Sequence, residues 1–212
     1  MQWTLVVPVK SLARAKSRLS DTAGDGLRPG LALAFAQDTV TAALACPAVR
    51  AVAVVTDDVL ARRELAALGA RIVQEEPGGG LNAALRHAAA AVRGPRPDSR
   101  VAALNADLPA LRPLELARVL DAAGEFPRAF LPDAADIGTT LLSAHEGREL
   151  HPAFGPDSRA RHRASGAAEL TLDAVDSVRQ DVDTGDDLRA ALALGVGPRT
   201  AAVAARLLIP GQ

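Results

Sequence analysis

Short apolar runs alternate with alanine- and leucine-rich helical stretches through the first half of this chain, and that alternation restricts its fold most. Trp3 to Val9 (WTLVVPV), Val52 to Thr56 (VAVVT), Arg71 to Gln74 (RIVQ) and Val101 to Asn105 (VAALN) read as buried strands. Between them, the stretches from about Gly30 to Ala45, Asp57 to Leu68 and Leu81 to Val92 read as helices, with Gly69 stopping the second. Strands separated by helices predict an α/β fold, a mostly parallel Rossmann-like sheet with helices on both faces. Further along, Arg128 to Leu131, Thr140 to Ser143 and Val175 to Val182 read as strands. Pro113 to Ala123, Asp186 to Leu194 and Arg199 to Leu207 read as helices, and His145 to Ala168 as an elaborated loop with some helix. No repeat or linker divides the 212 residues, which fit a single domain.

The chain is 49% hydrophobic but has no Tyr, four Phe and one Trp, so its core must rest on Ala, Leu and Val. With a formal net charge of -1, nothing points to a global nucleic-acid or membrane surface, which leaves local patches. Cys46 stands alone, which rules out an intramolecular disulfide framework and a Cys-based zinc site; its neighbours suggest a small buried residue at a helix end. The N-terminus enters a strand directly, and no stretch approaches the ~20 apolar residues of a membrane span. A soluble cytoplasmic protein is expected.

Charge chemistry is concentrated at strand ends. Lys10 and Lys16 are the two lysines, against 22 arginines, and both follow the first strand. With Arg14 and Arg18 they put four cations within nine residues, enough to surround a triphosphate; a solvated basic face explains the pattern as well. The G-x-x-x-x-G-K-[ST] pattern is absent, so such a loop would hold phosphates by side chains and turn amides. Asn105-Ala106-Asp107-Leu108-Pro109 ends the fourth strand, and an acid there is costly unless paired, for which a magnesium ion suits better than a simple turn cap. In Asp181-Val182-Asp183-Thr184-Gly185-Asp186-Asp187, Thr184 can cap the next helix, with Asp186 and Asp187 in its first turn. Asp183 is left over, and can share a metal with Asp107.

Three weaker features complete the set. Pro77-Gly78-Gly79-Gly80-Leu81-Asn82 permits close backbone approach to a base or ribose, with Asn82 as a hydrogen-bonding side chain, or is a plain surface turn. Gly138-Thr139-Thr140 and Phe154-Gly155-Pro156-Asp157-Ser158 offer hydroxyls and glycine amides to a small phosphorylated acid. Arg159, Arg161 and Arg163 read equally as anion binders, a solvated face or contacts within a homo-oligomer. His87, His145, His151 and His162 show no metal spacing and suggest no catalytic role.

In their order, the lysine-bearing segment, PGGGLN, NADLPAL, GTT, FGPDS and DVDTGDDL closely resemble the 2-phospho-L-lactate or phosphoenolpyruvate guanylyltransferases of deazaflavin-coenzyme biosynthesis, a nucleotidyltransferase-type fold. The resemblance covers nearly the whole chain. It implies magnesium-dependent transfer of GMP from GTP to the phosphate of phosphoenolpyruvate or 2-phospho-L-lactate, releasing pyrophosphate. It further implies that Asp107 and Asp183 bind Mg²⁺, that Thr140, Gly155 and Ser158 hold the acid, that Lys10, Lys16 and Arg18 hold the triphosphate, and that Gly79, Gly80 and Asn82 face guanosine. Lys16 would stabilise the transition state. The sequence does not decide between the two acids; its Ala- and Arg-rich composition suits an actinobacterial source, for which the resemblance implies a lean toward phosphoenolpyruvate. The alternatives are a sugar-nucleotide or molybdenum-cofactor nucleotidyltransferase, and a non-catalytic nucleotide-binding regulator.

Overall fold

Six consecutive residues of WTLVVP form β1 (Trp3–Pro8), whose first five side chains are buried, as expected of a strand covered on both faces. The computed structural model describes residues 2–14, 19–74 and 79–207. β1 pairs in parallel with β2 (Val49–Thr56) on one side and β4 (Arg100–Leu104) on the other, and β3 (Arg71–Gln74) extends the sheet beyond β2, also in parallel. β6 (Thr139–Ala144) runs antiparallel to both β4 and β5 (Arg128–Pro132), and the two-residue β7 (Ala168–Glu169) adds a parallel edge to β5. The order β3-β2-β1-β4-β6-β5-β7 is therefore mostly parallel, with one reversed strand.

The period-two alternation of β1 sends its side chains into two separate cores. Leu5 and Val7 join Ala36 and Val40 of α1 (Ser20–Leu44), Leu65 of α2 (Val59–Ala67) and Leu116, Val119 and Leu120 of α4 (Pro113–Ala123). Val6 points the other way, into a cluster with Ala84, Leu85, Ala88, Ala89 and Val92 of α3 (Gly80–Arg93). Alanines at the contact let α3 lie close on the sheet, so helices cover both faces as the composition predicts. Cys46 is buried just past α1, and burial raises its thiol pKa, which suits packing rather than nucleophilic chemistry. Among the described residues no helix is long and apolar enough to cross a membrane.

Two expectations need correction. α1 starts at Ser20, about ten residues before the expected Gly30, and runs through Pro29. An interior proline costs about 3 kcal/mol, but Leu31 and Phe35 are fully buried, and burial of each is worth about 1.5–3 kcal/mol. They pack with Val182, with Leu188 and Ala191 of α7 (Gly185–Leu194), and with Val203 of α8 (Pro198–Ala204). Tertiary packing thus outweighs the local breakers. Val175 to Val182 is not a strand: it contains a single helical turn, α6 (Asp176–Arg179). Val175 and Val178, three apart, enter the core from one side of that turn. Ser177 fastens it to the start of α4, its N–H donating to Glu115 (2.9 Å) and its Oγ accepting the Arg112 N–H (3.0 Å).

The region from His145 to Ala168 is loop with one short helix, α5 (Ser158–Ala164). Arg159 and Arg163 of α5 both donate to Glu169, which binds the helix to the sheet edge. Arg161 donates to the carbonyl of Pro156. These arginines therefore pin α5 in place.

Candidate functional site

After β1 the chain goes to β2 and β3 on one side, then crosses to β4 on the other, so β1 and β4 flank the point where strand order reverses. A ligand crevice is expected beyond the carboxyl ends of such strands. A cavity of about 690 Å³ lies there. Lys10 borders it just past β1, and Asn105, Ala106 and Asp107 just past β4. Asp181 and Asp183 border it from the segment before α7, and Gly138, Thr139 and Phe154 to Ser158 from the far side.

The acidic wall is held by its backbone. The buried Thr39 hydroxyl of α1 donates to the carbonyl of Ala106 (3.2 Å) and accepts the N–H of Leu108 (3.1 Å), bracketing Asp107. Val182 N–H donates to the carbonyl of Asp107 (3.0 Å), so the two acidic segments are joined through the residue between Asp181 and Asp183. Thr184 caps α7, as expected, in a capping box with Asp187, and the same Asp187 carboxylate accepts the N–H of Asp183 (3.1 Å). Oδ1 of Asp107 is a buried atom, and Asn105 Nδ2 approaches Asp181 Oδ2 at 3.5 Å. Among the described residues no group of three or more His, Cys, Asp or Glu side chains is placed to cage a metal. Asp107 and Asp183 offer carboxylate oxygens at the cavity wall, and one or two carboxylates with phosphate oxygens and water suffice for a hard cation, so these residues fit one without a protein cage.

Lys10 is exposed at the cavity edge. Behind it, Asp58 holds two structures at once. Its Oδ1 caps α2 by accepting the N–H groups of Leu60 and Ala61, and its Oδ2 accepts the N–H of Leu12 in a 3-10 turn, Leu12–Arg14. Lys16 and Arg18 lie outside the described residues.

Across the cavity, Gly155 has φ +120°, a conformation that L side chains rarely adopt, and its positive φ turns the loop toward α5. Ser158 is buried at the start of α5 and lines the cavity. Thr140 does not line it; a register shift between Leu131 and Pro132 displaces the pairing there, and Thr139 takes the lining position. The buried Thr139 Oγ1 lies 2.9 Å from Nδ1 of His162, whose Nε2 accepts the N–H of Ala153 (3.0 Å). Gly79 and Gly80 stand at the start of α3, where Gly80 has φ +69°, and neither borders the cavity. Asn82 faces the loop from Phe154 to Ser158: its Oδ1 accepts the N–H of Phe154 (2.8 Å) and its Nδ2 donates to the carbonyl of the same residue (3.0 Å).

The structure thus brings together Lys10, Asp107, Asp183, Gly155 and Ser158, while Thr140, Gly79, Gly80 and Asn82 stand back from the cavity. Sequence reasoning missed Asp181 and Thr39, and within Gly138-Thr139-Thr140 it singled out Thr140 where Thr139 lines the cavity. Asp181 had a signal, since alternate residues of an extended segment share a face. Thr39 had none, because its partners are about 70 residues away.

The strand order and this crevice define a Rossmann-like α/β protein. A putative nucleotide-diphospho-sugar transferase from Desulfovibrio desulfuricans superposes with a TM-score of 0.66 at 18% identity, covering 98% of this chain and 99% of the other. A Mycobacterium tuberculosis protein solved as a complex with manganese gives 0.57 at 24% identity, over 91% and 98%. At such identities the likeness concerns the fold alone.

The sequence is more specific. The family model described as guanylyl transferase CofC like matches residues 3–206, and the chain belongs to that family. It is 83% identical over 212 residues to the phosphoenolpyruvate guanylyltransferase of Streptomyces coelicolor, with 100% of both chains covered. It is 60% identical over 207 residues to that of Thermomonospora curvata, covering 98% of this chain and 90% of the relative.

Proposed function

We propose that this chain transfers GMP from GTP to the phosphate of phosphoenolpyruvate, releasing pyrophosphate, in a magnesium-dependent step of deazaflavin-coenzyme synthesis. The observation that carries this reading is one cavity bordered on one side by Asp107, Asp181 and Asp183 and on the other by the Gly155 to Ser158 loop. The names of the S. coelicolor and T. curvata relatives favour phosphoenolpyruvate over 2-phospho-L-lactate.

The acceptor is already a phosphate anion, so no general base is required. Its oxygen attacks the α-phosphorus, the bond from that phosphorus to the α,β-bridging oxygen breaks, and pyrophosphate leaves with the electron pair. Catalysis then consists of alignment and charge neutralisation. In this reading Asp107 and Asp183 would hold magnesium, which would offset repulsion between the two reacting anions. Lys10, with Lys16 and Arg18, would neutralise the triphosphate, and Gly155 and Ser158 would seat the acid.

The deciding experiment supplies GTP or ATP with each acid in turn and identifies the product by mass, with pyrophosphate release as a second readout. Guanylylated phosphoenolpyruvate is expected. Reaction with a sugar phosphate but neither acid would overturn the reading, and GTP binding without pyrophosphate release would favour a non-catalytic regulator.

The bonds of Asn82 separate two roles for that residue. Asn82→Ala removes both ties to Phe154 and should raise KM for the acid about 5- to 10-fold, with KM for GTP changed less than about twofold. A rise for GTP alone would return Asn82 to the guanosine.

A further inference from the structure

His162 of α5 is fully buried against Phe130 and Phe154, the latter edge-on with ring centroids 5.0 Å apart, and both its nitrogens are engaged. The two contacts fix its tautomer. A backbone N–H can only donate, so the Ala153 N–H at 3.0 Å requires a bare lone pair on Nε2. A neutral imidazole then carries its proton on Nδ1, and that N–H donates to Thr139 Oγ1 at 2.9 Å. Burial, with the nearby guanidinium groups of Arg128 and Arg161, pushes the His162 pKa down to about 4, which keeps the ring neutral at physiological pH. With its oxygen accepting from His162, the Thr139 hydroxyl has its own proton to give, and among the described residues it makes no other hydrogen bond. Thr139 borders the cavity beside Gly155 and Ser158. A hydroxyl arranged in this way serves as a donor.

We infer that Thr139 donates a hydrogen bond to an anionic oxygen of the phosphorylated acid, and that His162 is the positioning residue which turns the hydroxyl outward by donating Nδ1–H to it. The inference rests on the proposed guanylyl transfer. It adds a donor one residue before Thr140, and a task for a histidine whose sequence context suggested none. The same ring holds the N–H of Ala153, so one side chain sets both the donor and the loop that closes around the acid.

Wild-type protein is first assayed with GTP and each acid; absence of turnover there refutes the functional reading rather than this inference. Given turnover, Thr139→Val keeps the shape and removes the donor. A hydrogen bond to a charged group accounts for roughly 10- to 100-fold in affinity, so KM for the acid should rise by that factor, while KM for GTP stays within about twofold and Thr139→Ser restores most of the loss. His162→Leu should raise KM for the acid in the same direction. His162→Asn, with an amide N–H close to where Nδ1 lay, should recover part of it. In the double variant Thr139→Val with His162→Leu, KM for the acid should be no worse than in Thr139→Val alone, because the second change acts through the first. An unchanged KM for the acid in Thr139→Val overturns the donor role, and additive effects in the double variant overturn the positioning role. If His162→Leu does not fold, the Thr139→Val and Thr139→Ser pair still decides the donor, and His162→Asn the positioning.

Discussion

Asp107→Asn and Asp183→Asn are each expected to lower turnover about 10²–10³-fold, the usual scale for removing one electrostatic element of an active site. Each should also raise the magnesium concentration needed for half-maximal rate. The change is nearly isosteric, and the backbone at each position has its own supports. Thr39 and Val182 brace the peptides around Asp107, while the Asp183 N–H donates to Asp187. Melting temperatures should therefore stay close to wild type, which separates a lost cation ligand from a lost fold. The two variants need not be additive, since both carboxylates are assigned to one ion. Wild-type turnover in either variant, measured with saturating GTP and acid over a magnesium series, would remove that residue from the proposed site.

What the sequence disclosed divides along a physical line. Strands with continuous apolar runs, such as Trp3–Pro8 and Arg100–Leu104, and helices with clear stops, such as Pro113–Ala123, are local signals, and their positions were legible to within a few residues. The acidic motif after β4 was legible for the same reason: a carboxylate at the end of an apolar strand demands compensation. The failures are tertiary. Pro29 and its neighbouring glycines suggest loop until Leu31 and Phe35 find α7 and α8, and Val175 to Val182 resembles a strand until Ser177 meets Arg112 and Glu115. In the site, the short bulge that puts Thr139 in place of Thr140 at the cavity wall depends on pairing with β5. Asn82, beside a glycine run suited to a nucleotide, turns instead to Phe154, 72 residues on. A motif marks which segments carry chemistry, whereas the direction of each side chain is set by contacts that spacing does not encode.

Lowering the pH from 7 to about 4.5 should cost wild-type protein about 2–3 kcal/mol of stability through His162 alone. In the unfolded chain this imidazole titrates near its ordinary 6.5, and in the folded protein near 4. Between those values the unfolded state binds a proton that the folded state refuses, so stability rises with pH across that window and falls as acid is added. Above 6.5 both states are neutral and the group contributes no pH dependence. The cause is geometric as well as dielectric. A proton on Nε2 would face the N–H of Ala153, donor against donor, in a site already flanked by the guanidinium groups of Arg128 and Arg161. Glu169, held below its usual range chiefly by Arg159, loses its contribution only at lower pH, as the carboxyl is protonated, and does so equally in variants at position 162. The measurement is urea unfolding at pH 7 and pH 4.5 for wild type and His162→Asn. The variant should be less stable at pH 7, having lost the acceptor for Ala153, yet lose about 2–3 kcal/mol less between the two pH values. Direct titration of the His162 ring by NMR checks the same claim without a variant, and a midpoint near 6.5 in the folded protein would contradict it.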